Sequence, residues 1–253
     1  RFFDVGIAEG CAVSMAAGMA KEGAIPVFGV YSTFLQRSYD MLIHDVAIDH
    51  LPVVLGVDRA GLVGEDGETH HGVFDVAYLD SVPGMTVFAP SSFQELEEML
   101  ERAVLEIKGP VAVRYPRGGE GMYTGSSGSG PAVLLREGRD LTLAGYGIQI
   151  NDLLEAADLL SKEGIEAQVV KLNQITPLPT ELVADCIRET GALLVAEDCV
   201  ASGSVGQRLA AALEEKQIPA RIYRIDCGQE FVPHGAVRLL KRDLNLDGPG
   251  IAR

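Results

Sequence analysis

Residues 26–58 read PVFGVYSTFLQRSYDMLIHDVAIDHLPVVLGVD. Two apolar runs, 26–31 and 52–58, flank a stretch with helical spacing from about Thr33 to Ile48. The second run has no polar alternation, as expected of a strand buried on both faces. Strand, helix and strand in that order argue for a parallel sheet wrapped by helices.

The alternation continues outward. MTVFAP (85–90) precedes SSFQELEEMLERAVL (91–105), where Ser92 is placed to cap a helix and Glu95 follows three residues later, the spacing of a capping box. GPVAVRYP (109–116) reads as the next strand. Residues 117–132, RGGEGMYTGSSGSGPA, are rich in Gly and Ser, lack periodicity and read as a linker. A second series follows: DLTLAGYG (140–147), a helix from about Ile148 to Glu163, IEAQVVKL (165–172), ALLVAED (192–198), a helix after Gly203, ARIYRID (220–226) and a helix from about Gly235 to Leu244. In the other direction FFDVG (2–6) reads as a strand with no element before it, so the chain is expected to begin inside a domain. The fold class is therefore α/β, with two doubly wound domains at 1–120 and 133–253 and a linker at 121–132.

Composition narrows the function. The 253 residues are 47% hydrophobic, enough for sizeable cores, and no run of about 18 apolar residues lacks a charge. RFFDVG has no basic region leading into an apolar run, so it is not read as a signal peptide. A formal charge of −15 argues against nucleic acid or an anionic membrane as partner. Any anion must meet locally concentrated Arg or Lys. Cys11, Cys186, Cys199 and Cys227 make no CxxC pair and read as reduced thiols.

Four stretches carry candidate chemistry. In DVGIAEGCAV (4–13) Glu9 is surrounded by small or apolar residues, and burying it costs several kcal/mol unless a partner compensates. In YSTFLQRSYDMLIHD (31–45) Leu35, Tyr39, Leu42 and Val46 form one helical stripe, while Phe34, Arg37 and Met41 fall on the other face. That helix starts at the carboxyl end of a buried strand, where open α/β sheets bind ligands. The loop DRAGLVGEDGETHHGVFD (58–75) concentrates Asp66, His70 and His71 and reads as a polar substrate pocket rather than a metal site. VRYPRGG (113–119) puts Arg114 and Arg117 at a strand's end, as a phosphate clamp or as surface ion pairs. GYGIQIN and ASGSVGQ fit neither GxGxxG with its acid nor a Walker A motif.

Together DVGIAE, YSTFLQRSYD, HDVA, LPVVLGVDRAGLVGEDGETHHGVFD, APSS, VRYPRG and HGAVRLLKRDLNLDGPGIAR resemble the 1-deoxy-D-xylulose-5-phosphate synthase family of the transketolase superfamily, colinearly from Arg1 to Arg253. The resemblance implies a thiamine-diphosphate pyrimidine-binding domain with a mostly parallel sheet and a transketolase C-terminal domain with a mixed sheet. It implies that pyruvate and glyceraldehyde 3-phosphate condense with loss of CO2 through a cofactor enamine, in isoprenoid and thiamine biosynthesis. It assigns Glu9 to the pyrimidine N1′, Phe34 and Ile7 to cofactor binding, and Glu9 with His70 to catalysis. Tyr31, Arg37, Asp66, His70 and Arg117 match substrate-binding positions. The resemblance departs at Gly10-Cys11, where the family usually has Gln-His.

No GDG followed by an Asn-bearing metal motif occurs. The expectation is that Mg²⁺ and the diphosphate are held by an N-terminal domain not in this chain, and that this chain alone is inactive. A homodimer in the bacterial cytoplasm or the plastid stroma is also implied. The alternatives are the β-type half of a split transketolase or 2-oxo-acid dehydrogenase, and a non-catalytic dimerisation module.

Overall fold

The computed structural model describes residues 1–253. The first series forms α1 (Glu9–Lys21), β1 (Val27–Tyr31), α2 (Ser32–Leu35), α3 (Tyr39–Met41), β2 (Val54–Asp58), α4 (Asp75–Asp80), β3 (Thr86–Phe88), α5 (Phe93–Leu105) and β4 (Val111–Arg114). The second forms β5 (Ala132–Arg136), β6 (Leu141–Tyr146), α6 (Ile150–Lys162), β7 (Ala167–Leu172), β8 (Gln174–Thr176), α7 (Thr180–Thr190), β9 (Ala192–Ala196), α8 (Val205–Glu215), β10 (Arg221–Ile225), α9 (Val237–Asp243) and α10 (Gly248–Ile251). No helix is long and apolar enough to cross a membrane.

Two five-stranded sheets result, in the orders β1-β2-β4-β3-β8 and β10-β9-β6-β7-β5. Each has four parallel strands and one antiparallel edge: β8 against β3, and β5 against β7. The α/β class holds for both. β2 has four of its five residues fully buried, as its unbroken apolar run requires. β8 lies beyond residue 133 in sequence yet completes the first sheet. One apolar cluster runs from Leu55 and Ala112 of the first sheet to Val170 and Val195 of the second, so the two sheets share a core.

Three expectations change. FFDVG is not a strand. Phe2 and Phe3 are exposed, and the segment's one hydrogen bond of note runs from the Gly6 N–H to Asp4 Oδ1 at 2.9 Å. A strand exists through its ladder, and residues 2–6 pair with no strand, the free edge of β1 included. The single helix expected over 33–48 is segmented into α2, a 3₁₀ turn Gln36–Ser38, α3 and a π turn Leu42–Ala47. Leu35, Leu42 and Val46 are buried as the stripe requires, while Tyr39 stays at the rim with its hydroxyl 2.8 Å from Ser81 Oγ. The π turn widens the helix where it packs on α1.

The Gly/Ser segment is irregular but pinned. Ser92 caps α5 by accepting the Glu95 N–H at 3.1 Å. Glu95 departs from a capping box: its Oε2 accepts from the Ser91 N–H (2.9 Å) and its Oε1 faces the linker and the second sheet. There it accepts from the Tyr123 hydroxyl (2.8 Å) and the Ser127 hydroxyl (2.9 Å) and pairs with Lys171 Nζ of β7 (2.9 Å). Asn173 Nδ2 donates to the Gly130 carbonyl at 2.8 Å. The segment read as a linker is thus bonded to α5 and to Asn173 between β7 and β8.

Candidate active site

β1 runs straight into α2, so its last residue and the following turn stand at the carboxyl edge of the first sheet. Tyr31 and Phe34 stack there with ring centroids 5.3 Å apart at 21°. The His70 ring meets Phe34 edge-on, 5.3 Å away at 69°. Arg37, in the next turn, reaches Glu9 with Nη1 3.6 Å from Oε2. Glu9, Tyr31, Phe34 and Arg37 line a groove of about 310 Å³ together with Ile7 and Phe28. Ile7 is on its lip, 92% exposed.

Glu9 is the first residue of α1, where the helix dipole favours a negative charge. It is 8% exposed, and its carboxylate makes no hydrogen bond within the chain. Arg37 is too distant for one and is itself 60% exposed. The buried carboxylate therefore keeps its acceptor capacity, pointed at a groove walled by an aromatic ring.

The loop 59–72 forms a second wall. Its neck closes by reciprocal backbone bonds between Gly61 and Gly72, both 2.8 Å. A side chain at Gly61, at φ +75°, would strike the Asp198 carboxylate, and one at Gly72 would strike the Arg59 carbonyl. Within the loop Asp66 bridges two guanidiniums: Arg117 Nη1 at 2.9 Å and Arg59 Nε at 3.3 Å. Arg59 also pairs with Asp58 at 2.8 Å, and its guanidinium carbon lies 3.8 Å over the Tyr31 ring. Its backbone is left-handed, at φ 58°, an uncommon state for a non-glycine residue and one that clusters at functional sites. Arg59 and Arg117 also border a cleft of about 340 Å³ lined by the segments that follow β2, β3 and β4.

The structure thus gathers Ile7, Glu9, Tyr31, Phe34, Arg37, Asp66, His70 and Arg117 along one continuous edge. It adds Arg59, which the sequence argument passed over although it directly follows a buried strand. Arg114 is no phosphate ligand. It is buried, held by Asp75 (2.9 Å) with Asp198 3.7 Å away. His71 is also buried, with both nitrogens engaged: Nδ1 accepts from the Val63 N–H (3.2 Å), and Nε2 therefore donates to the Pro233 carbonyl (3.3 Å). Burial pushes its pKa below the ordinary histidine value. No three His, Cys, Asp or Glu side chains gather as a metal site. The N-terminus of α8, opened by ASGSVG, is taken by Glu197, which accepts the Val205 and Gly206 N–H groups at 2.9 and 2.7 Å.

Comparison with known proteins agrees with this architecture. Residues 1–119 match the transketolase pyrimidine binding domain and residues 130–251 the transketolase C-terminal domain. Curated relatives named 1-deoxy-D-xylulose-5-phosphate synthase include those of Heliobacterium modesticaldum (45% identical over 260 residues) and Gloeobacter violaceus (46% over 259 residues). Both alignments take in all of this chain, which spans about two-fifths of each relative, 40% and 41%. Among solved structures, a chain described as a split gene transketolase, inactive beta4 tetramer, superposes with a TM-score of 0.91 at 28% identity, covering 100% of this chain and 82% of that one. A transketolase mutant from Pichia stipitis shares the fold, with a TM-score of 0.79 at 18% identity over 96% of this chain and 36% of that one. The chain belongs to the transketolase family, of which it carries the pyrimidine-binding and C-terminal domains.

Proposed function

We propose that this chain is the pyrimidine-binding and C-terminal part of a 1-deoxy-D-xylulose-5-phosphate synthase, which joins pyruvate to glyceraldehyde 3-phosphate with loss of CO2 and feeds isoprenoid and thiamine biosynthesis. The observation that carries the reading is Glu9: buried, without a hydrogen bond, and facing an aromatic-walled groove. That arrangement fits an aminopyrimidine. Glu9 would hold a proton at the ring nitrogen N1′ through a charge-assisted hydrogen bond, Phe34 would stack on the ring and Ile7 would cover its edge. Thiamine diphosphate, when bound, supplies an acidic ring carbon that adds to the 2-oxo acid and takes up the electron pair released with CO2.

The chain's other residues bind and orient. Arg37, Arg59 and Arg117 concentrate positive charge in an acidic protein, and Asp66 holds two of them in register. They form the acceptor phosphate's site, with Tyr31 beside them. His70, against Phe34, donates to the substrate's oxygens. The diphosphate and Mg²⁺ fall to a further domain, in keeping with the two-fifths of its relatives that this chain spans. The exposed apolar face formed by Phe2, Phe3, Ile25 and Val27 beside the edge strand β1 suits burial against that domain or a second subunit. The assembled enzyme is then a homodimer, and its bacterial relatives suit a cytoplasmic location.

The relatives at 45–46% identity favour a synthase over a split transketolase. Joined to the diphosphate-binding part of such a relative, the chain should convert pyruvate and glyceraldehyde 3-phosphate with release of CO2. Transfer from a ketose phosphate without CO2 would establish the transketolase alternative instead. The chain alone should bind thiamine diphosphate weakly by calorimetric titration with Mg²⁺, and sub-micromolar affinity would refute the division of labour.

A further inference from the structure

His70 is fixed on three sides. Its backbone N–H bonds the Gly67 carbonyl at 3.0 Å, closing a turn in which Gly67 takes φ +82°. Its ring stands edge-on to Phe34. Its Nδ1 lies 2.9 Å from Thr69 Oγ1, while Nε2 has no partner in the chain. Thr69 is anchored in turn: its carbonyl accepts from Thr33 Oγ1 at 3.0 Å, and Gln36 Nε2 donates to that same hydroxyl at 3.0 Å. A short relay, Gln36 to Thr33 to Thr69 to His70, therefore ties the loop's histidine to the turn that carries Phe34. Apart from Nδ1, the Thr69 hydroxyl has no partner in the chain, so its proton is free to go to the ring.

We propose that Thr69 is a positioning residue for His70: its hydroxyl donates to Nδ1, selecting the tautomer that carries its proton on Nε2 and presents that N–H to substrate. The ring nitrogen that does not face the reaction sets the tautomer of the one that does. The substrate role rests on the synthase reading above, whereas the tautomer is a property of this chain by itself.

The test is nitrogen NMR of the chain labelled at its histidines, with His70→Gln identifying the resonances, beside kinetics of the assembled enzyme. At alkaline pH the parent should show an unprotonated Nδ1 and a protonated Nε2 at His70. Thr69→Val should mix the tautomers, and Thr69→Ser should restore the parent pattern. In the assembled enzyme Thr69→Val should lower kcat/KM by about 3- to 10-fold, the worth of one neutral hydrogen bond, and Thr69→Ser should recover most of it. Thr33→Val, which frees the Thr69 carbonyl without touching the ring, gives a second route to the mixed tautomers should Thr69→Val fold poorly. A protonated Nδ1 in the parent, or a Thr69→Val spectrum and kcat/KM equal to the parent's, would overturn the proposal. A parent with the predicted tautomer but no synthase activity would count against the function reading and leave the positioning intact.

Discussion

Glu9 and Glu95 occupy equivalent places and have opposite surroundings. Each lies in the first turn of a 13-residue helix, and each is buried, at 8% and 1% exposure. Glu95 is saturated: Lys171, Tyr123, Ser127 and the Ser91 N–H all meet its oxygens. Glu9 has a distant, exposed Arg37 and an open groove. Burial alone would raise the Glu95 pKa, and the Lys171 charge with these hydrogen bonds outweighs burial and holds it below the ordinary carboxylate value. The contrast separates two uses of a buried charge. A carboxylate whose lone pairs are all taken joins parts of the fold together. One left open awaits a ligand.

The comparison breaks most readily at Lys171. Lys171→Met strands Glu95 in a buried site, and the stability measured by urea unfolding should fall by about 3–5 kcal/mol. The Lys171→Met, Glu95→Gln double variant should recover much of that. If Lys171→Met is neutral, the clamp between sheets is not held by this pair.

Arg37 and Arg117, on the ligand side, should behave in the reverse sense. In the assembled enzyme Arg117→Ala or Arg37→Ala should raise KM for glyceraldehyde 3-phosphate far more than for pyruvate, by about 1.5–3 kcal/mol for a charge-assisted contact, with little loss of stability. An unphosphorylated aldehyde that suffers equally would remove the phosphate assignment.

A smaller effect tests the loop 59–72 that walls the site. His71 is held neutral by burial, its pKa lowered from the ordinary 6.5. Below that value the unfolded chain takes up a proton that the folded chain resists, so stability should fall as pH drops through about 6.5. Glu95 has a depressed pKa, so its contribution is present above the ordinary carboxylate value and is lost only at lower pH. His71→Asn should flatten the first step and leave the second. A first step unchanged in that variant would assign it elsewhere.

Much of the fold was legible because buried parallel strands are apolar throughout, and 52–58 needed no partner to be read. β5 and β8 were missed because three to five residues of ordinary composition become strands only when β7 and β3 offer an edge. FFDVG failed for the converse reason: its residues are strand-like, but it pairs with no strand. At the site, Glu9 announced itself as a charge among apolar neighbours, and the family motifs supplied its companions. Arg59 and Arg114 were not separable in sequence, since both are arginines at strand ends. What distinguishes them is tertiary: Asp75 and Asp198 converge on Arg114 in the interior, while Asp66 holds Arg59 at the rim.

The central claim, that Glu9 is left open for a protonated ring, has one direct test. Deuterium exchange at C2 of bound thiamine diphosphate can be measured in the assembled enzyme for Glu9→Gln, with the Tm alongside. Gln keeps the shape but cannot stabilise a proton on N1′, so exchange should slow by about 10²–10⁴-fold, the usual worth of an acid–base group, while Tm holds or rises. An unchanged exchange rate with a lower Tm would show that Glu9 serves only the end of its helix.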